Sequence, residues 1–383
     1  MSEANRLSTW LAERQATYIT GLRELCAIEC PTSSKPGVDQ AGVWVRRWAE
    51  ARGWQLQHFP DDRAGDGLVV SLRGSGKLRA MLVAHLDTVY PLGIAAERPV
   101  QVAGDILRGP GSADNKSGLL SGLYALAALE ACGFAERFAL LSVVCGSDEE
   151  TDARASKAML QALAPGYDLA LVLEAGRENG DVVSARKGNG MFSFTVHGRA
   201  AHAGVEPEKG ANAVLALAHQ VIALQALNGT RPGLTVNVGQ ISGGSVPNAV
   251  PDHASALVDV RVASAADMAP VEAAIRAIAA EERVAGTRTE VGDGWFFPPM
   301  DRTPTIAALA ERAKACAGEL GFSISDAATG GVSYANLLAG LGLPVLDGLG
   351  PVGGLDHSPQ EYIEISSIVP RTALLALLLL RSA

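Results

Sequence analysis

The feature that most constrains the fold is a series of short, continuous apolar runs separated by segments with helical spacing of apolar residues. The runs cover residues 68–72, 80–84, 138–145, 169–173 and 343–346, and a further strand-like segment covers residues 55–59. The clearest helical segment between them, residues 116–132, has leucines at helical spacing. Continuous apolar strands that alternate with helices are typical of a parallel sheet covered on both faces. The sequence therefore predicts an α/β fold with a mostly parallel sheet sandwiched by helices.

The pattern changes near residue 185. From there the predicted order is a strand at 191–197, a helix at 210–227, strands at 234–241 and 254–262, a helix at 266–283 and a short strand at 288–291. This order is that of a split βαβ, or ferredoxin-like, α+β domain. After Pro298 the alternation of helix and strand resumes. A chain of 383 residues is too long for one ordinary core, so two lobes are expected. We predict a first lobe built from 1–184 and 298–383, with a second domain inserted at 185–297.

Further helices are predicted at 5–30 and 39–52, and a buried closing helix at 373–380, after Pro370. The last run is too short to span a bilayer, so no membrane association is expected. Net charge is −9 and no basic run reaches five residues, which makes nucleic acid a poor candidate partner. The five scattered cysteines lack zinc-ribbon spacing and indicate buried thiols in a reducing compartment. Because the N-terminus also lacks the pattern of a secretory signal, a cytoplasmic location is expected.

Histidine and acidic side chains follow the apolar runs or open the helices after them. They are His85, Asp87, Asp114, Glu149, Glu150, Glu174 and His357. In open parallel sheets, ligands bind beyond the carboxyl ends of the strands. A single histidine at a strand end is usually an ordinary polar residue, and adjacent acids usually begin a helix. Because five separate segments deliver such groups to one edge, the sequence favours a functional site.

These residue types suit zinc, which takes imidazole nitrogen and carboxylate oxygen as ligands. Two ions that share a bridging carboxylate and a bridging water need five protein ligands. The first ion is assigned to His85 and Glu174, and the second to Glu150 and His357, with Asp114 between them. Two Zn²⁺ per subunit are therefore expected, although Co²⁺ and Mn²⁺ suit the same ligands.

Two carboxylates remain for other roles. Asp87 is two residues beyond His85, close enough to orient the imidazole and fix its tautomer. Glu149 has no assigned metal, so it can take a proton from the bridging water and pass it to a leaving nitrogen. The water itself is made acidic by the zinc ions.

Four stretches resemble the family of dinuclear zinc peptidases and deacylases. They are residues 83–89 (VAHLDTV), 108–116 (RGPGSADNK), 148–150 (DEE) and 198–204 (GRAAHAG). This family includes glutamate carboxypeptidase, acetylornithine deacetylase, succinyl-diaminopimelate desuccinylase and aminoacylase. The resemblance covers nearly the whole chain and is strongest to the glutamate carboxypeptidase branch, in which a glutamate corresponds to Glu174.

The resemblance implies metal-dependent hydrolysis of the amide bond of a small peptide or N-acyl amino acid. It also implies a cis peptide between Asp114 and Asn115 and a homodimer formed through the inserted domain, which would act as a lid. His202 would then reach the partner's active site and stabilise the oxyanion, and Asn248 would contact substrate.

Two positions depart from the family pattern. Many relatives have an arginine where Phe297 stands, and it binds the substrate carboxylate, which a phenylalanine cannot do. Relatives commonly have an aspartate where Tyr334 stands. Phe297 and Tyr334 are therefore predicted substrate-side positions, and the alternative for residues 295–297 is plain packing at a hinge. Three arginines are candidates to supply the lost cation: Arg186, Arg288 and Arg302.

These departures leave the substrate open between two amidohydrolase classes. A carboxypeptidase is the first expectation, and a deacylase for an apolar or atypical acyl group is the alternative. A third reading, from another class, is an inactive relative that only binds metal or ligand. The presence of Glu149 argues against it.

Overall fold

The computed structural model describes residues 1–151 and 153–383, which form two compact units. The first comprises Met1–Ser184, Arg302–Ala328 and Ser333–Ala383, and the second comprises Ala185–Asp301 and Thr329–Val332. The second unit continues beyond the expected boundary at 297, because the backbones of Arg186 and Met300 exchange hydrogen bonds within it.

Among the described residues there are eleven α-helices. They are α1 Glu3–Ala12, α2 Gln15–Ala27, α3 Lys35–Glu50, α4 Ile94–Glu97, α5 Ser117–Ala131, α6 Arg154–Leu163, α7 Ala213–Gln225, α8 Met268–Ala280, α9 Pro304–Glu319, α10 Tyr334–Gly340 and α11 Ile365–Ser382. The strands are β1 Gln55–Phe59, β2 Gly67–Arg73, β3 Leu78–His85, β4 Gln101–Ala103, β5 Ile106–Arg108, β6 Phe138–Gly146, β7 Leu169–Val172, β8 Val182–Arg186, β9 Gly188–His197, β10 Ala201–His202, β11 Thr235–Gly243, β12 Ala249–Val250, β13 His253–Val262, β14 Arg288–Phe297, β15 Asp326–Thr329, β16 Val345–Leu346, β17 Gly353–Gly354 and β18 Tyr362–Glu364.

The main sheet of the first unit has the strand order β1-β2-β6-β3-β7-β16. The four strands β6, β3, β7 and β16 run parallel, while β1 and β2 form an antiparallel edge. The predicted α/β fold with a mostly parallel sheet is therefore confirmed. Because β3 ends at His85 and β7 ends just before Glu174, both side chains lie at the carboxyl edge of this sheet.

Helix α5 lies against this sheet and is buried from Ser117 to Leu129. Its first turn approaches β7 so closely that a Cβ atom on Gly118 would lie 1.9 Å from the carbonyl oxygen of Leu173. Only glycine permits this approach. It brings the loop before α5, which carries Asp114, next to the end of β7.

Two helix predictions are wrong in detail. The segment predicted as one helix at 5–30 forms two helices, α1 and α2. The closing helix α11 begins at Ile365, so Pro370 lies inside it. By length and composition α11 could cross a membrane, but 67% of it is buried within the protein, where it packs against α5 and α1. Its burial accounts for its apolar composition.

The second unit follows the order β9-α7-β11-β13-α8-β14, apart from the short strands β10 and β12. Its four-stranded sheet is antiparallel throughout, in the order β11-β13-β9-β14. This is the predicted split βαβ domain, and it is confirmed. Alternate residues of β9 are buried, among them Phe192 and Phe194, and they form the core of this unit with α7 and α8. Strand β14 is longer than predicted and reaches Phe297.

Candidate metal centre

Asp114 lies between two histidines of the first unit. Its Oδ1 is 2.9 Å from His85 Nε2, and its Oδ2 is 3.1 Å from His357 Nε2. The peptide bond that follows it, to Asn115, is cis, as the family resemblance implies. The two oxygens of one carboxylate thus face two imidazoles that come from segments far apart in the sequence.

Two groups of three potential ligands share this aspartate. They are His85, Asp114 and Glu174, and Asp114, Glu150 and His357. Within each group the ligand atoms lie within 4.8 Å of one another. In the second group, Glu150 Oε2 is 3.1 Å from His357 Nε2. The structure thus brings together the five residues expected as metal ligands, in the expected two groups.

The donor atoms fit divalent cations. Glu150 Oε1 is buried and has no hydrogen-bond partner among the described residues. A buried oxygen without a partner is costly, and coordination of a cation would satisfy it. Three carboxylates and two imidazoles, with no thiolate, form a ligand set that suits zinc. The residues present therefore fit two ions that share Asp114.

The charges around the two histidines also favour bound cations. Burial acts to lower the pKa of His85, but hydrogen bonds to Asp114 and Asp87 outweigh it and hold that pKa well above its usual value. Hydrogen bonds to Asp114 and Glu150 raise the pKa of His357 to about 11. The carboxylates thus create a local environment that strongly favours positive charge.

Asp87 contacts both the first histidine and the loop after β6. Its backbone oxygen lies 3.0 Å from His85 Nδ1, and its Oδ1 lies 3.3 Å from the same nitrogen. With Nδ1 facing acceptors, Nε2 is left to face Asp114. The Asp87 carboxylate also accepts the backbone N–H groups of Glu149 and Glu150, both at 3.2 Å, and the hydroxyl of Thr32 at 2.6 Å. Asp87 therefore positions two further site residues besides His85.

Glu149 belongs to neither ligand group. Burial, opposed by His85 and reinforced by the neighbouring Glu174 and Glu150, raises the pKa of its carboxyl group well above the usual value. A carboxylate with a raised pKa is better suited to accept a proton near neutrality. The backbone bond to Asp87 fixes the residue beside the ligand groups.

Three organising residues were not singled out from the sequence. Asn115 Nδ2 donates to Glu174 Oε2 at 2.8 Å, so the residue after Asp114 orients a ligand of the other segment. Glu361 is buried and accepts hydrogen bonds from the loop that carries Asp114. Thr32 anchors Asp87. Asn115 lies within a recognised motif and Glu361 follows His357 by four residues, but the sequence around Thr32 offers no signal.

The structure gives Tyr334 and Phe297 no surface with which to contact a substrate. Tyr334 is 0% exposed, and its hydroxyl donates to Ser156 Oγ at 2.7 Å. Space for its ring exists because residue 146 is glycine, where a Cβ atom would lie 2.1 Å from the tyrosine hydroxyl. Phe297 is 2% exposed at the end of β14. Both side chains are packing residues in this conformation.

The candidate cations are also engaged in structural contacts. Arg186 is 8% exposed and donates to the carbonyl of Gly331 at 3.1 Å. Arg288 pairs with Glu290 at 2.6 Å, and Arg302 pairs with Asp326 at 2.8 Å. Each of the three arginines therefore has a partner within the protein, and these contacts do not require a substrate.

His202 and Asn248 lie together on the second unit. Strands β10 and β12 pair His202 with Ala249, and Ala203 N–H donates to the Asn248 carbonyl at 3.0 Å. Both side chains are exposed. This small ribbon therefore presents a histidine and an asparagine to solvent.

The first unit thus has histidine–carboxylate groups at the carboxyl edge of a mostly parallel sheet, and the second unit is a split βαβ domain inserted into its sequence. Residues 184–287 match the M20 peptidase dimerisation domain. The chain is 29% identical to carboxypeptidase G2 of Pseudomonas sp. (strain RS-16), over 96% of this chain and 90% of that protein. Its fold is similar to that of aminopeptidase PepT from Bacillus cereus, with a TM-score of 0.81, 22% identity and coverage of 96% and 98% of the two chains. It is also similar to the M20 metallo-carboxypeptidase Sso-CP2 from Sulfolobus solfataricus, with a TM-score of 0.75, 16% identity and coverage of 95% and 98%.

Residues 184–287 thus match a peptidase dimerisation domain of the M20 type, and the chain as a whole shares its fold with an M20 metallo-carboxypeptidase. These comparisons confirm the resemblance that was recognised from the motifs.

Proposed function

We propose that this protein is a two-metal amidohydrolase that cleaves a small peptide or an N-acyl amino acid. The observation that carries the proposal is the pair of ligand groups that share Asp114, with Glu149 beside them and outside both. Five residues would hold the ions, and they are His85, Asp114, Glu150, Glu174 and His357. When bound, such ions polarise the scissile carbonyl and make the attacking water more acidic.

Glu149 then serves as the general base and afterwards as the general acid. Its carboxylate accepts one proton from the attacking water, whose oxygen forms the new bond to the carbonyl carbon. The same proton passes from the Glu149 carboxyl group to the leaving nitrogen as the C–N bond breaks. The products are a carboxylic acid and an amine, and Glu149 returns to its ionised form.

Two classes of substrate contain an amide bond that this mechanism would cleave. The similarity to carboxypeptidase G2 over most of the chain supports a carboxypeptidase. The alternative is an N-acyl amino acid deacylase with an apolar acyl group. Substrates of both classes carry an α-carboxylate, so the absence of a guanidinium at buried Phe297 does not distinguish them.

A homodimer is part of the proposal. Helix α7 buries Leu217 and Leu224 against its own sheet, yet it also exposes Leu215 and Ile222, which is 71% exposed. The neighbouring strand β11 is a sheet edge and exposes Ile241. A helix that is apolar on both faces beside an open strand edge is typical of an interface between subunits. His202 of each subunit would then act in the partner's active site.

Metal depletion and reconstitution test the activity. Chelator-treated protein is loaded with Zn²⁺, Co²⁺ or Mn²⁺ and assayed on dipeptides, N-acyl amino acids and folate-like amides. We expect hydrolysis that depends on metal and saturates at about two ions per chain. Glu150→Gln should reduce both metal content and turnover. Full metal binding without hydrolysis of any substrate would instead favour the inactive relative.

Light scattering coupled to size exclusion tests the dimer. Ile222→Asp places a charge on the exposed face of α7, so we expect it to yield monomers. Leu92→Asp, at an exposed leucine of the first unit, is the matched control and should leave the dimer intact. A monomeric wild-type protein at assay concentration would contradict the proposal.

A further inference from the structure

Glu361 is a buried carboxylate outside both ligand groups. It is 2% exposed, and each of its oxygens accepts two hydrogen bonds. Oε1 accepts the backbone N–H groups of Ala113 at 2.7 Å and Asp114 at 2.9 Å. Oε2 accepts the N–H of Gly111 at 2.9 Å and the hydroxyl of Tyr90 at 2.6 Å. One carboxylate thus satisfies three backbone donors of a single short loop.

That loop ends in the residue shared by both ligand groups. If Glu361 could not accept, three backbone N–H groups of this loop would lose their partner, and an unpaired N–H away from water is destabilising. Buried Lys116 contacts the same loop, since its Nζ donates to the carbonyls of Ile28 and Pro110 at 3.1 and 3.3 Å. The backbone that carries Asp114 is therefore held by two side chains that do not belong to the metal groups.

Glu361 also belongs to the same short segment as the ligand candidate His357. It lies four residues after His357, whose Nε2 faces Asp114 Oδ2 at 3.1 Å. His357 itself has a positive φ of 62°, a conformation that a non-glycine residue rarely adopts. The segment 357–361 thus contacts Asp114 at both ends: His357 faces the carboxylate of Asp114, and Glu361 accepts the backbone N–H of Asp114. A shift of Glu361 would therefore disturb both the orientation of Asp114 and its distance to His357.

We propose that Glu361 is the positioning residue of the shared ligand, and that it holds the Asp114 loop in its metal-binding conformation before any ion arrives. This inference rests on the proposed metal-dependent function. Its consequence is that Glu361 sets the affinity for both ions, because both ligand groups include Asp114. Tyr90, which donates to the same carboxylate but to no backbone group of the loop, contributes less.

The experiment measures zinc affinity by competition with a chromophoric chelator, with no substrate present. Glu361→Gln keeps the size of the side chain but replaces one acceptor oxygen by an NH₂ group that faces N–H donors. We expect zinc binding to weaken about 10- to 100-fold at both sites. Tyr90→Phe should weaken it in the same direction but less. Glu364→Gln, three residues along the chain and without a capping hydrogen bond, should bind zinc as the wild type does.

Thermal unfolding of the metal-free proteins shows whether each variant folds, so that a loss of zinc affinity is not confused with misfolding. If Glu361→Gln does not fold, Tyr90→Phe carries the test, and its unchanged zinc affinity would overturn the proposal. Wild-type affinity in folded Glu361→Gln would overturn it as well. A wild-type protein that binds zinc but hydrolyses no substrate would refute the proposed function alone, since the difference in affinity between wild type and Glu361→Gln would still decide the role of Glu361.

Discussion

The carboxylate of Asp87 accepts the backbone N–H of Glu150 at 3.2 Å, and so joins the end of β3 to the loop after β6. These two segments belong to neighbouring parallel strands. Asp87 was expected to orient His85, and it does contact that imidazole. Its contacts with the loop show that it also determines where two acidic site residues stand.

Replacement of Asp87 by asparagine should impair the site without unfolding the protein. The amide group would direct an NH₂ towards backbone N–H donors, so the loop of Glu149 and Glu150 would shift. We expect kcat/KM to fall about 10- to 100-fold, as for other residues that support metal ligands. Thr32→Val removes only one donor to Asp87 and should have a smaller effect. Wild-type kcat/KM in Asp87→Asn would show that these contacts are dispensable.

Tyr334→Phe separates a packing role from a substrate role. The hydroxyl donates to Ser156 Oγ, which in turn accepts the N–H of Ser147 at 3.0 Å, so its loss removes one buried hydrogen bond. We expect the free energy of unfolding to fall by about 1 kcal/mol and KM to stay unchanged. Chemical denaturation and steady-state kinetics provide both values. A KM raised tenfold with unaltered stability would instead assign Tyr334 to the substrate.

Asp326 should make stability depend on pH. Its carboxylate bonds to Arg302, Lys314 and Ser184, and the hydrogen bond to Arg302 is the main cause of a lowered pKa. A group whose pKa is lower in the folded state stabilises the fold above its unfolded pKa, about 4, and loses that effect as pH falls. Asp326→Asn should therefore cost about 2 kcal/mol at neutral pH.

Urea unfolding of both proteins at several pH values checks this expectation. The difference between wild type and Asp326→Asn should shrink as the pH falls below about 4, because the carboxyl group of the unfolded wild type then binds a proton that the folded state does not bind. A difference that stays constant from neutral to acidic pH would mean that the charge of Asp326 contributes nothing.

Subunit mixing tests the role of His202 in the partner. If His202 acts across the dimer, a heterodimer of Glu149→Gln and His202→Ala subunits contains one intact site. Random mixing of symmetric dimers should then restore about a quarter of wild-type activity. Heterodimers verified by differential tags but without recovered activity would place His202 in its own subunit's chemistry or outside it.

The sequence predicts the site best for residues that directly follow the parallel strands of the main sheet. His85 and Glu174 follow continuous apolar strands, and parallel strands bring their carboxyl ends to one edge, so their convergence could be expected before any coordinates. The inserted domain was predictable for a similar reason, since its alternating pattern in β9 differs from the continuous runs of the main sheet.

The remaining contacts depend on pairs of residues that are distant in sequence. Glu361 accepts from Asp114 across 247 positions, and no local pattern reveals such a pairing. The buried position of Tyr334 depends on the space at Gly146, which belongs to another segment. Phe297 was judged by comparison with an arginine, whereas the extension of β14 buries it. In each case tertiary packing decides what the residue does.

The role of Glu149 is tested most directly by Glu149→Gln, assayed for bound metal and for turnover on the same preparation. Because Glu149 lies outside both ligand groups, the variant should keep about two ions per chain while kcat falls about 10²- to 10⁴-fold. Wild-type turnover with full metal content would contradict the assignment of Glu149 as the group that moves the proton.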